Sequence, residues 1–454
     1  MIFNDFLFLF IFLPIVVFGF YRAMPNTARV WVLLAASLAF YAMSGIEHVL
    51  ILILGVLWTY AIAATPKMRG SKWLLALAVL GPASALFYYK YFGFFARSLD
   101  LEITDSAGFS LFESVILPAG ISFFTFQLVA FAIDRYRGHI ETPPSFAKFA
   151  LYISFFPQLV AGPILRFQQV AEPLDGLTSF RLTRQTAMTA IAYIVLGLGA
   201  KVLIADSLGN DIDPWLIRPE ALGGVGAMYV LLAYSFQIYF DFYGYSLVAI
   251  GLGRLFGFHF PDNFLRPYES LNIKDFWRRW HVTLSFWIRD YLYVPLGGNK
   301  RYALNIVIIF AACGLWHGAG WPFVIWGLYH GALVALYGAT SRIWDAMPKL
   351  VQIALTFSLV SLGWTLFIFD FKGVVLFFGS LFGAGSAELP APSVEQWTLL
   401  AIAGIVCFVP KFERLAAKAG TQGTWFGSIG YATLFVLILL FVNRSNDFIY
   451  TPIH

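Results

Sequence analysis

Charge is scarce in this chain. Lysine, arginine, aspartate and glutamate make up 12% of its 454 residues, against about 25% in soluble domains. That scarcity excludes a soluble globular fold. Cysteine is nearly absent. Cys313 and Cys407 lie in apolar runs, with no spacing for a disulfide framework or a metal site. They read as small buried residues, and no metal is expected. There is no Gly-x-Ser-x-Gly elbow, no His-Glu-x-x-His and no P-loop. Serine-hydrolase, zinc-peptidase and nucleotide-hydrolase readings therefore lack their residues. No internal repeat appears, although many transporter folds are built from repeats. The N-terminus has no basic region and no small-residue cleavage site after its first apolar run, so that run is expected to stay as a span.

What the chain does have is apolar length. Hydrophobic residues are 59% of the sequence, and mean hydropathy is +0.75. Runs near the ~20 residues that cross a bilayer recur from end to end, leaving no room for a sizeable soluble domain. The expectation is an all-α polytopic membrane protein in one domain, residues 1–454. Aromatics reach 19%, with 48 Phe and 14 Trp, more than interfacial belts need. Some of these rings must pack inside the protein or line a cavity. The net charge of +5 sits in short loops, as an orientation signal does, and points to membrane lipids rather than nucleic acid.

Spans are expected at 2–20, 30–44, 48–64, 73–89 and 115–133. Loops 21–29, 65–72 and 135–148 are basic, whereas the loop from Lys90 to Glu113 is acidic on balance. The positive-inside rule then puts the N-terminus outside the cytoplasm. Residues 149–165 are interrupted by Pro157, Gly162 and Pro163 and followed by Arg166, Arg181 and Arg184. A re-entrant segment keeps those charges inside, and broken backbone at membrane depth is tolerated where it is buried in protein or lines a cavity. Further spans are expected at 185–204 and 225–253, separated by an acidic loop holding Asp206, Asp211, Asp213 and Glu220. The basic stretch 254–301 reads as cytoplasmic. Residues 303–340 read as a hairpin broken at Gly318, Gly320 and Pro322, followed by spans at 351–370, 397–410 and 425–443. This leaves the C-terminal tail extracytoplasmic.

Chemistry concentrates between Leu271 and Gly331. From Asp275 to Tyr293, large apolar residues fall at helical spacing while Arg278, Ser285 and Arg289 take another face. That pattern fits one helix at the interface. Its basic face suits either lipid phosphates or an anionic, phosphorylated substrate, whose geometry arginine forks match. His317 stands alone in apolar sequence before Gly318-Ala319-Gly320. An ionisable group at membrane depth is a functional hypothesis by default, and an imidazole suits general-base work near neutral pH. A buried packing histidine is the competing reading. His281, beside charge, and His330 are more ambiguous, the latter being open to ordinary helix packing as well. Asp241, within Tyr239-Phe240-Asp241-Phe242-Tyr243, reads as a buried acid that orients a histidine or pairs with an arginine, or equally as one half of a purely structural internal ion pair.

Several ordered motifs together resemble the membrane-bound O-acyltransferase (MBOAT) family, and within it the bacterial alginate O-acetyltransferase branch. They are Leu117-Pro-Ala-Gly-Ile-Ser-Phe-Phe-Thr-Phe-Gln127, Phe155-Phe-Pro-Gln-Leu-Val-Ala-Gly-Pro163, Asp241-Phe-Tyr-Gly-Tyr-Ser246, Asp275-Phe-Trp-Arg-Arg-Trp-His281, Tyr293-Val-Pro-Leu-Gly-Gly298 and Leu315-Trp-His-Gly-Ala-Gly-Trp321. The family core covers about residues 110–340. The resemblance implies a ring of tilted transmembrane helices, with re-entrant and interfacial helices, around a central chamber. It implies catalytic roles for His317, His281 and Asp275, and a donor site at Arg278, Arg279 and Trp316, with Asp241 as a supporting acid. The implied donor is acetyl-CoA on the cytoplasmic side of a bacterial inner membrane. The implied partner is an extracytoplasmic acetyltransferase that modifies a secreted polysaccharide. The tail Phe448-Ile-Tyr-Thr-Pro-Ile453 resembles the aromatic end of the related D-alanyl transfer proteins, which would make Tyr450 an acyl relay. An interfacial aromatic anchor is the alternative, and Ile453 departs from the usual final Phe. Competing functions are an acyltransferase for lipid or protein acceptors, a transporter of an acetylated carrier, and a scaffold that only recruits the partner.

Overall fold

The structure is a computed structural model. It describes residues 3–99, 116–408, 411–421 and 425–442. No strand occurs among them. Six helices are long and apolar enough to cross a membrane: Ile46–Ala63, Lys72–Ser98, Arg184–Leu216, Gly224–Leu255, Trp321–Asp345 and Lys349–Ile368. Shorter apolar helices include Phe8–Arg22 and Val394–Phe408. Helices of this kind satisfy every backbone polar group within themselves, as lipid requires. The chain is thus a multi-pass α-helical membrane protein. Its packing falls into two compact units, one holding Met1–Ile194 and Val248–Pro261, the other Val195–Leu247 and Asp262–Ile449.

In the first unit, α1 (Arg29–Ala42), α2 (Ile46–Ala63), α3 (Lys72–Ser98) and α4 (Ile121–Arg137) pack side by side. Helix α3 runs on through Lys90 to Ser98, where the sequence reads as loop. Its outward face is apolar, so lipid supports the extra turns. Residues 149–165 break as expected, into the helices Phe146–Ser154 and Phe156–Leu159. Nine helical residues span only ~14 Å, less than half a bilayer core. The break is held inside protein. Phe156 N–H donates to Ser37 Oγ (3.1 Å), Tyr152 OH donates to Leu165 O (2.8 Å), and Phe156 packs among Phe8, Phe12 and Phe40. Arg135 closes α4 by donating to the carbonyls of Ala63, Ile140 and Glu141. The aromatic excess goes into this packing, as the composition implies.

The second unit is built on two long helices, α5 (Arg184–Leu216) and α6 (Gly224–Leu255), of which it takes the parts from Val195 and up to Leu247. A Cβ on Gly244 would lie 2.6 Å from Gly197 O and 2.9 Å from Lys201 N, so glycine permits the close approach. At this approach α5 widens into a π turn, Gly199–Ala205, a feature often found at functional sites. Lys201 Nζ there bonds Asp206 Oδ1 at 2.6 Å and Asp241 Oδ1 at 2.7 Å, all three residues being buried. One expectation is corrected. Asp206, Asp211 and Asp213 are helical, not part of a loop, because Lys201 neutralises Asp206 and Tyr229 OH donates to Asp211 (3.1 Å). Asp241 forms an internal ion pair with Lys201, one of the readings its sequence allows.

The interfacial helix expected over 275–293 is also corrected. It is three pieces: α7 (Ile273–Arg279), α8 (Val282–Ile288) and a π turn, Arg289–Tyr293. The break falls at His281, in the left-handed region at φ 45°. Strained backbone persists only where its surroundings over-determine it, and Asn263 does so here. Its carbonyl accepts from Val282 N–H (2.9 Å), while its side chain accepts from Thr283 Oγ1 (2.9 Å) and N–H (3.3 Å). The hairpin expected over 303–340 is present as α9 (Tyr302–His317) and α10 (Trp321–Asp345). A Cβ on Gly314 would meet Phe323 O at 2.1 Å, and one on Gly327 would meet Phe310 O at 2.0 Å. These helices therefore touch backbone to backbone. Helix α11 (Lys349–Ile368) packs on α10.

Candidate active site

Three histidines of the second unit share one aromatic neighbourhood. His317 ends α9, and Gly318 stops the helix in extended backbone. Its ring lies 4.9 Å from Trp316, 5.1 Å from Trp326 and 5.3 Å from Phe367 between centroids. His281 is buried, 5.8 Å from Trp316 and 4.8 Å from Phe242, the neighbour of Asp241 along α6. Trp316 thus sits between His281 and His317. Burial pushes the His281 imidazole down to about 3, so it stays neutral at physiological pH.

A cavity of ≈ 460 Å³ opens beside His281. Its rim is basic and polar, with Lys274, Arg278, Arg289, Ser285 and Asn299. Its deeper wall is apolar, with Ile306, Ile309, Phe310 and Cys313 from α9. The lining ends on α9 at Cys313, one helical turn before His317. A basic mouth over an apolar throat suits a ligand with a phosphorylated head and an uncharged arm. Salt-bridged Arg289 keeps its charge firmly, because Asp290 hydrogen-bonds it (2.6 Å).

The sequence-expected residues divide. Arg278 and His281 line the cavity, and Trp316 bridges the two histidines. Asp275 and Arg279 are bound to each other (3.0 Å), and Asp275 also accepts from Leu271 N–H. Arg279 is held in the α7 turn by this pair. Tyr450 lies outside the described residues. Sequence reasoning missed Lys274, Asn299 and Phe367. Asn299 directly follows the Gly297-Gly298 pair and was within reach of motif reading. Phe367 arrives from a separate helix, and no local pattern announces it. Among the described residues, no three His, Cys, Asp or Glu gather as a metal site.

Fold and site together define an α-helical membrane enzyme with imidazoles set in aromatic surroundings beside a basic-rimmed cavity. The chain belongs to the membrane-bound O-acyltransferase family, whose model matches residues 108–368, and it is an O-acyltransferase. It is 35% identical to the peptidoglycan O-acetyltransferase of Helicobacter pylori, over 81% of this chain and 77% of that protein. It is 37% identical to the probable alginate O-acetylase AlgI of Azotobacter vinelandii, over 89% and 83% respectively. A more distant relative is the teichoic acid D-alanyltransferase of Streptococcus thermophilus, 29% identical over 63% and 69%.

Proposed function

We propose that this protein moves an acetyl group from acetyl-CoA, on the cytoplasmic side of a bacterial inner membrane, toward O-acetylation of a secreted or cell-surface polysaccharide. The final acceptor is reached through an extracytoplasmic acetyltransferase partner, and both termini face that side. The observation that carries the reading is the cavity. Its basic rim at Lys274, Arg278 and Arg289 complements the phosphates of CoA, and its apolar throat leads along α9 to within a turn of His317. The relatives that act on alginate and peptidoglycan support a polysaccharide as the end point.

In this reading His317 takes the proton of an acceptor hydroxyl as the oxygen attacks the thioester carbonyl. The C–S bond breaks, and the proton passes to the CoA thiolate, so atoms and charge balance. A base must lie within about 2.6–3.2 Å of the hydroxyl, or one water away. His281, also packed on Trp316, is assigned a neutral hydrogen bond to the reacting group in this reading. Tyr450 is the proposed first acceptor. Its phenol has a pKa near ~10, which makes its acetyl ester a better donor than an alkyl ester.

The test uses membrane vesicles containing the partner, with labelled acetyl-CoA on the cytoplasmic face. His317→Ala is expected to lower transfer to the far side by about 10²–10⁴-fold at matched expression. Equal label in wild type and variant would remove His317 from catalysis. Tyr450→Phe at the wild-type rate would remove the relay and leave the rest standing.

A further inference from the structure

We propose that His330 is a positioning residue of the acyl-transfer site, acting on His317 through Trp326. The inference rests on His317 being the base, as read above. His330 is fully enclosed, at 0% exposure, and neither ring nitrogen has a hydrogen-bond partner among the described residues. Its neighbours are rings. Trp326 lies at 4.9 Å and 64°, Trp277 at 5.1 Å and 88°, Tyr329 at 5.3 Å, with Trp364 and Phe276 slightly farther. The helix opposite makes room for it, since a Cβ on Gly363 would lie 2.8 Å from Nε2.

A phenylalanine would fill such a box without stranding a polar group, and burying an imidazole without hydrogen bonds is costly. Stability therefore does not explain a histidine here. The acceptors left to its ring N–H are the π faces of the indoles, a weak but directional contact. The two nearest indoles belong to the site. Trp277 lines the cavity, and Trp326 packs nearly perpendicular to His317, at 5.1 Å and 83°. Trp326 also meets Trp277 (5.6 Å) and Phe367 (4.7 Å). The tilt of its indole, fixed on one side by His330, is felt on the other by the imidazole that must reach the acceptor hydroxyl.

The experiment compares wild type with His330→Phe and Trp326→Phe, and with His317→Ala as reference, on the full chain in vesicles with the partner. His330→Phe is expected to raise Tm, because a stranded polar group is gone. Its kcat is expected to fall by roughly ten- to a hundred-fold, the scale of a misplaced catalytic group, with KM for acetyl-CoA unchanged. Trp326→Phe cuts the same link from the other end and is expected to show the same kcat loss, which covers the case where His330→Phe does not accumulate. Diethyl pyrocarbonate labelling of His317, followed by mass spectrometry, is expected to change rate in both variants, independently of turnover. Unchanged kcat, or wild-type labelling of His317, would overturn the proposal. Activity persisting in His317→Ala would instead overturn the assignment of the base, and the labelling rates would still decide whether His330 orients that ring.

Discussion

The second unit solves the burial of polar groups in two opposite ways. Around Lys201, two carboxylates close on one ammonium at 2.6 and 2.7 Å, so charge is met by charge. Around His317, His281 and His330, the surroundings are tryptophan and phenylalanine rings. The first arrangement is held shut by strong directional bonds. The second sets imidazoles against the faces and edges of rings. A membrane protein that needed only stability would use the first solution, or none. The second makes sense where a basic nitrogen has to remain available to something that arrives later.

The sharpest way to probe this contrast is to strip the ammonium. Lys201→Met leaves two buried carboxylates facing each other and is expected to cost about 3–5 kcal/mol, read as a large drop in thermal stability in detergent. Adding Asp206→Asn and Asp241→Asn is expected to recover most of that loss, because a buried ion pair stabilises little against a neutral replacement of similar shape. If the triple variant is stable but inactive, the charge cluster serves the reaction and the contrast fails. A smaller effect is expected at the cavity mouth. Arg278→Gln removes one charge-assisted bond, worth about 1.5–3 kcal/mol. It should raise KM for acetyl-CoA by at least ten-fold with little change in kcat, and the loss should shrink at high salt. A KM that does not move would take the rim out of donor binding.

The smallest effect concerns acid. The His281 imidazole is held near 3 in the folded chain against an ordinary 6.5. Below pH 6.5 the unfolded chain takes up a proton that the folded one refuses. Its contribution to stability is thus complete above that pH and falls away as pH drops toward the folded value. Asn tolerates the left-handed backbone found at this position, so His281→Asn should fold and should flatten the acid limb of Tm against pH. An unchanged limb would mean that another group sets it.

Hydropathy and length alone made most helices legible, because lipid leaves the backbone few choices. The hairpin at His317 was legible too, since Gly318, Gly320 and Pro322 stop one helix and start the next. What escaped were effects of distant partners. Residues 275–293 carry an unbroken helical period, yet Asn263 bends them at His281 through bonds that no window of sequence contains. Asp206 reads as a loop residue until Lys201 is seen beside it. Asp275 and Arg279 also form an i, i+4 ion pair with each other. The helix Phe371–Leu381 lies between two expected spans and was not among them. For the site, the residue types were readable, and the cavity they border required the fold.

The glycine contact between α9 and α10 limits how this enzyme can change. With Gly314 and Gly327 already against opposing carbonyls, the two helices cannot move closer, and any side chain at either position pushes them apart. The width of the cavity beside them is therefore not a quantity that small backbone drift can tune. A variant that accepts a bulkier acyl group would have to come from trimming Ile306, Ile309 or Phe310, one side chain at a time, with the helix spacing left as it stands.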